Sequence, residues 1–293
     1  MSFLSFPLLE TYRQGVRAWH RRNLVRTIHK GDFPKTQSLL RKNFHLTAFK
    51  ESLKSTSSAI ALMVLERMSH DEINQRDEKG YTPLHLAVFH DNPFLLERLL
   101  KKGADAELEN DFGLPPLFYA VKKSKHDCLE KLLHYGARTD TIWPAWRVGP
   151  LHLAVSQGDE RSVQLLLQYG ADVNGLTESG RTPLHEACWA ENVAMIDLLA
   201  KEGALLNVVC YGGRTALHEA CFRRRQDCIE RMIWHGVPLH TKDRVGRDTR
   251  RWLQVMDGWE ERLKKVAIEG QRARLGERLK KKTEHESRKD RRM

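Results

Sequence analysis

Two four-residue runs in this 293-residue chain carry side chains suited to metal or nucleophile chemistry: His185-Glu186-Ala187-Cys188 and His218-Glu219-Ala220-Cys221, with Cys228 and His235 shortly after the second. A tetrahedral zinc site needs four converging nitrogen or sulfur ligands. A Cys–His nucleophile needs a third group to orient the base, and donors for the oxyanion. The sequence offers neither completion, because the two runs lie 33 residues apart and no cleft or oxyanion motif accompanies them. Tyr211-Gly212-Gly213-Arg214 is glycine-rich but is not followed by the Lys-Ser/Thr pair that holds a phosphate. No catalytic residue, metal ligand or cofactor is expected.

The interval of 33 residues recurs along the chain. Tyr81-Thr82-Pro83-Leu84-His85, Leu114-Pro115-Pro116-Leu117-Phe118, Val148-Gly149-Pro150-Leu151-His152, Arg181-Thr182-Pro183-Leu184-His185 and Arg214-Thr215-Ala216-Leu217-His218 succeed one another at steps of 33, 34, 33 and 33. Gly103, Gly136, Gly170, Gly203 and Gly236 keep the same steps, the first three after Leu-Leu pairs. Two motifs in phase over five units define a repeat, and that decides the fold before any single helix is considered.

In a unit such as Gly180-Arg181-Thr182-Pro183 the glycine two residues before Thr suits a tight turn, Thr caps a helix, and Pro opens it without losing a needed hydrogen bond. In the unit Arg181 to Asn207 one apolar stripe is Leu184, Ala187 and Cys188, and a second is Val193, Ile196, Leu198 and Leu199; Gly203 closes the second helix. Helices this short are not stable alone, so each pair must bury its apolar face on the next pair.

These residues resemble ankyrin repeats, the family with a Thr-Pro-Leu-His start and a period of ~33. The resemblance spans Asn74 to Asp243 and implies an all-α repeat solenoid of helix–turn–helix pairs joined by hairpin loops. Phe118 departs from the pattern in place of His, Ala216 in place of Pro and Arg147 in place of the turn Gly, and one residue is added around Trp143-Pro144-Ala145-Trp146. The third hairpin is therefore expected to be irregular. The resemblance also makes His85, His152, His185 and His218 structural, and places Cys188 and Cys221 at a small inner position filled elsewhere by Val88, Val121 and Val155. The expected organisation is a basic segment at 1–19, divergent repeats or a cap over 20–77, five repeats over 78–243, a capping repeat at 244–268, and a basic polar tail at 269–293 that is either helical or disordered. Trp252, Leu253, Met256, Trp259, Leu263 and Val266 are the expected apolar face of the final cap.

In this family partners are usually contacted by hairpin tips and first-helix ends on a concave face. Carried over by register, the partner-binding residues are Tyr81, Phe89, Phe112, Lys122, Trp146, Arg181, Trp189, Tyr211, Arg214, Phe222 and Arg223. Aromatic and Arg side chains of this kind form binding hot spots. The stacked Arg181, Arg214 and Arg247, continued by Arg223-Arg224-Arg225, imply that an acidic and apolar helix or peptide lies along the C-terminal half. The alternative is that the aromatics pack between repeats and the Arg row is merely solvated. The family is also a frequent substrate of an asparaginyl hydroxylase, for which Asn174 is the best match and Asn207 and Asn74 are poorer; alternatively Asn174 only serves its turn.

The net charge of +11 sits at the two ends: residues 1–58 and 244–293 carry +8 each, and 59–243 carry −5. A second function is therefore docking on nucleic acid, microtubules or acidic lipid through Arg278–Lys282 and Arg288–Arg292, which also suit a two-part nuclear import signal. Arg13, Arg17, Arg21, Arg22 and Arg26 resemble a mitochondrial presequence, against which stands the cap expected over 20–42. No run approaches the ~20 apolar residues of a membrane span. No cleaved secretory signal is expected at the start, where Pro7 interrupts a short apolar stretch without a basic n-region, and five cysteines without a framework fit a reducing compartment. The expectation is a non-enzymatic, intracellular protein-binding module, cytoplasmic or nuclear and monomeric alone.

Overall fold

The computed structural model describes the backbone of residues 6–40, 45–54, 58–253 and 259–290, and side chains over 18–40, 45–54, 59–250, 253 and 261–276. Arg13, Arg17, Trp252, Met256, Trp259, Arg278–Lys282 and Arg288–Arg292 have side chains outside the described set. Among the described residues the regular structure is helical, and the only β pairings are the isolated bridges Trp143–Val148 and Lys242–Asp248. The fold is an all-α repeat solenoid, in two compact units, Met1–Arg138 and Thr139–Met293.

The first unit contains α1 (Phe6–His29), α2 (Phe33–Leu39), α3 (His45–Lys54), α4 (Ser58–Arg67), the short α5 (His70–Ile73), α6 (Pro83–Phe89), α7 (Pro93–Lys101), α8 (Pro116–Lys122) and α9 (His126–His134). The second contains α10 (Pro150–Gln157), α11 (Glu160–Gln168), α12 (Pro183–Trp189), α13 (Val193–Lys201), α14 (Ala216–Phe222), α15 (Gln226–Trp234), α16 (Thr249–Leu253) and α17 (Trp259–Asp290). Helices pack in pairs, and within a unit each pair packs on the next: α3 on α6 and α6 on α8 in the first unit, α10 on α12, α12 on α14 and α14 on α16 in the second. α1 crosses position 19/20, and α17 crosses 268/269, without a break in the helix.

Each second helix buries one stripe: Leu95, Leu96, Leu99 and Leu100 on α7; Cys128, Leu129, Leu132 and Leu133 on α9; Cys228, Ile229, Met232 and Ile233 on α15. Burying a Leu or Ile side chain fully contributes ~1.5–3 kcal/mol, which these helices of nine residues need because isolated helices below ~12 residues are marginal. On α13 the stripe is turned slightly from the one the apolar spacing suggested, with Met195, Ile196 and Leu199 buried and Val193 and Leu198 only half-buried.

Five of the described hairpins close with an N–H to C=O bond across four residues: Asp77 to Tyr81, Asn110 to Leu114, Thr177 to Arg181, Cys210 to Arg214 and Asp243 to Arg247. The third spans one residue more, from Trp143 to Val148, and Arg147 takes the positive φ of 55° that glycine holds in its neighbours. Trp143 is wholly buried beneath this longer loop.

At the far end α17 packs on α15. Gly270 lies directly against the Trp234 carbonyl, where a Cβ would clash with backbone, and Arg274 donates to the same oxygen. Arg262 Nε pairs with Glu230 at 3.1 Å, and Leu263 is buried. A glycine that weakens a helix in isolation here permits close docking.

Candidate functional site

The His-Glu-Ala-Cys runs resolve into three separate structural tasks. Where Thr precedes the helix, its hydroxyl and backbone N–H point at the His Nδ1, at 2.9 and 3.2 Å for Thr82 and His85 and at 2.9 and 3.1 Å for Thr182 and His185. With Nδ1 accepting, Nε2 carries the proton and donates to the next hairpin: His85 to Leu114 O at 3.0 Å, His185 to Arg214 O at 3.1 Å and His218 to Arg247 O at 3.3 Å; His152, which follows Gly149 in place of Thr, reaches Arg181 O through Nε2 at 3.1 Å. Burial pushes His85 and His185 down to about 4, which keeps them neutral in this role.

The cysteines point into the stack. All five are free and buried, and burial pushes Cys128 and Cys221 up to about 12 and Cys228 up to about 11, so they remain thiols. Among the described residues no group of three or more His, Cys, Asp or Glu is placed to hold a metal ion.

The glutamates are the residues that sequence reasoning missed. Glu186 Oε1 lies 2.9 Å from Arg181 Nε, and Glu219 Oε1 lies 3.4 Å from Arg214 Nε. Both carboxylates lie at the foot of the first helix, beneath the hairpin that carries their arginine, and Glu219 is only 2% exposed. Burial raises the Glu186 carboxyl against the opposing pull of Arg181. The signal was present as Arg-Thr-x-Leu-His-Glu, which occurs twice at the repeat interval.

These pairs support an open aromatic surface in the second unit. Trp146, Trp189, Tyr211 and Phe222 are 45%, 44%, 59% and 54% exposed. Arg181 and Arg223 both lie over the Trp189 ring, at 4.9 and 3.0 Å from its centroid, and Arg214 lies 5.8 Å from that of Phe222. Tyr211 is fixed by its backbone N–H to Ser179 O at 3.1 Å, its ring against Gly180 with no room for a Cβ there.

The first unit brings Tyr81 and Phe89 together in a different way. Both pack edge-on against Tyr119, at 5.9 and 4.6 Å, and Tyr81 also meets Phe89 at 5.1 Å. Asn110 Nδ2 donates to the Tyr119 hydroxyl at 2.7 Å, and the two Tyr hydroxyls are 3.4 Å apart. Desolvation raises the Tyr119 phenol above its ordinary value. Phe112 stands exposed on its hairpin, and Lys122 is half-buried at the end of α8. Asn174 Oδ1 accepts from Leu205 N at 2.7 Å, as Asn74 Oδ1 accepts from Asp105 N at 2.9 Å, so each amide ties its repeat to the following turn.

The family model of ankyrin repeats matches residues 42–142 and 150–243. The chain is 30% identical over 143 residues to ankyrin repeat protein nuc-2 of Neurospora crassa, covering 49% of this chain and 13% of that one. To the B-cell lymphoma 3 protein homolog of Mus musculus it is 36% identical over 115 residues, covering 38% of this chain and 26% of the relative. It thus spans about a quarter or less of the length of these two curated relatives. Among solved structures it is similar to the ankyrin repeat domain of Bcl-3, with a TM-score of 0.59 and 25% identity over 83% of this chain and 96% of that one. The human ASB11 ankyrin repeat domain matches in fold at a TM-score of 0.61 and 22% identity, over 77% and 98% of the two chains. Ankyrin repeats generally mediate protein–protein interaction, and the fold is a non-enzymatic interaction module. With the in-phase repeat, the paired helices and these matches together, the chain belongs to the ankyrin-repeat family.

Proposed function

We propose that this chain is a non-enzymatic regulator or adaptor that binds another protein on the hairpin-tip and helix-end face of its second unit, the face that the family resemblance makes concave. The observation that carries this reading is the set Trp189, Tyr211 and Phe222, three large rings left about half exposed beside Arg181, Arg214 and Arg223. Large rings with guanidinium groups at the centre of an interface are typical anchors, each costing ~2 kcal/mol or more on truncation. Trp146 extends the surface at its edge, whereas Tyr81, Phe89, Phe112 and Lys122 contribute less in this reading. The partner is an acidic and apolar helix or peptide, and the site of action is intracellular, in keeping with five free, buried cysteines. Asn174 remains a candidate hydroxylation site within the same unit.

The test is affinity capture with the full chain and with the double variant Trp189→Ala/Tyr211→Ala. The expected result is at least ~30-fold weaker binding with an unchanged melting temperature. Binding that survives the double variant, or that depends instead on residues 269–293 and falls steeply with salt, would contradict it.

A further inference from the structure

Three guanidinium groups lie over the Trp189 and Phe222 rings, and among the described residues two of them meet a carboxylate. Arg181 is paired with Glu186 and Arg214 with Glu219, at 2.9 and 3.4 Å. Arg223 has no carboxylate within ion-pair distance among the described residues, and its guanidinium lies over the Trp189 ring. Its Nε is buried without a hydrogen-bond partner while the residue as a whole is half-exposed, which leaves the outer edge of the guanidinium facing solvent. Arg181 Nη2 is likewise buried without a partner, and its guanidinium lies over the same indole. Of the two guanidinium groups that share the Trp189 ring, Arg181 has its carboxylate in Glu186 and Arg223 has none, so Arg223 is the one that calls for an anion.

Resting on the face proposed above, we infer that Arg223, stacked on Trp189 beside Arg181, seats a carboxylate side chain of the protein partner, with a large apolar side chain of the same segment lying on Phe222. A stacked, planar guanidinium holds its remaining N–H groups in one orientation, which suits bidentate recognition of a carboxylate. Arg214 is excluded as the seat because Glu219, almost wholly buried, already neutralises it. Trp189 and Phe222 hold the same register position on α12 and α14, helices that pack on each other. Neighbouring helix axes are about 8–10 Å apart. That separation matches an acidic and an apolar residue about three positions apart in an extended segment, or about seven apart in a helix.

The experiment selects binders to the full chain from a random 12-residue peptide display library, then measures them against Arg223→Gln, Arg223→Lys, Arg224→Gln and Trp189→Ala. The expected peptides carry Asp or Glu at that spacing from Trp, Phe or Leu. Their affinity should fall at least about tenfold with Arg223→Gln, and as much when the peptide acid is changed to its amide. Arg223→Lys should recover only part of the affinity, and Arg224→Gln, which removes the same charge one residue away, should change it less than about threefold. Loss with Trp189→Ala but not with Arg223→Gln would overturn the seat and leave the face standing; indifference to both would overturn both. Selection of peptides without an acid, or of none, also overturns the seat. Displacement of the peptide by a 20-nucleotide single strand with the same Arg223 dependence would reassign the seat to phosphate.

Discussion

The two units build the same helix pairs and dress them differently. In the first, Tyr81, Phe89 and Tyr119 turn toward one another and the hydroxyls end on Asn110, so rings and polar groups satisfy each other within the cluster. In the second, the register positions of Tyr81, Tyr119 and Phe89 hold Arg181, Glu186 and Trp189. The carboxylate goes under the surface and the guanidinium is held on top of it. The ring, with no hydroxyl partner to close on, stays open beside Arg223. Three register positions separate rings that pack on one another, with Phe89 still 37% exposed, from a ring that lies under guanidinium groups, while the scaffold beneath does not change.

The largest effects should come from that shared scaffold and be alike in both units. His85→Ala and His185→Ala each remove a buried cap and a bond to the next hairpin, and each should lower the unfolding free energy by about 3 kcal/mol in urea titration. A much smaller loss at either residue would mean that the units are not built alike. The same histidines set a pH dependence. Their folded-state values, pushed from 6.5 to about 4, mean that the unfolded chain binds more protons between those limits. Their contribution is therefore complete above pH ~6.5 and is lost as pH falls toward ~4; thermal melting across that range should show a decline, and none from pH 7 to 8.

Smaller effects should separate the units. Glu219→Gln withdraws the charge beneath Arg214 and should cost about 1–2 kcal/mol, with Glu186→Gln costing less because its carboxyl is already raised by burial. Tyr119→Phe unmakes the Asn110 bond and should cost about 1 kcal/mol by melting while leaving partner affinity within about twofold. A binding loss from Tyr119→Phe would erase the distinction between the two faces.

The repeat architecture was legible because Thr-Pro-Leu-His and the closing Gly each serve local geometry, and their spacing therefore survives in the sequence. The helix pairs followed from it, and so did the structural roles of His85, His152, His185 and His218. The Arg181–Glu186 and Arg214–Glu219 pairs were not anticipated, because each joins a hairpin tip to a helix five residues later, and only the folded turn brings the two together. The closed cluster around Tyr119 was missed for the same reason: Tyr119 fills the position after the histidine site, which carries Leu86 and Leu153 in other repeats. Docking of α17 depends on Gly270 meeting a carbonyl 36 residues earlier, and a lone glycine in a charged helix gives no sign of that.

The most direct measurement is hydrogen–deuterium exchange of the full chain with and without a protein partner that it captures, read peptide by peptide. The account predicts slowed exchange over residues 179–190 and 211–225, and unchanged exchange over 79–90 and 110–123. Protection confined to the first unit, or to the helix beyond residue 269, would contradict it.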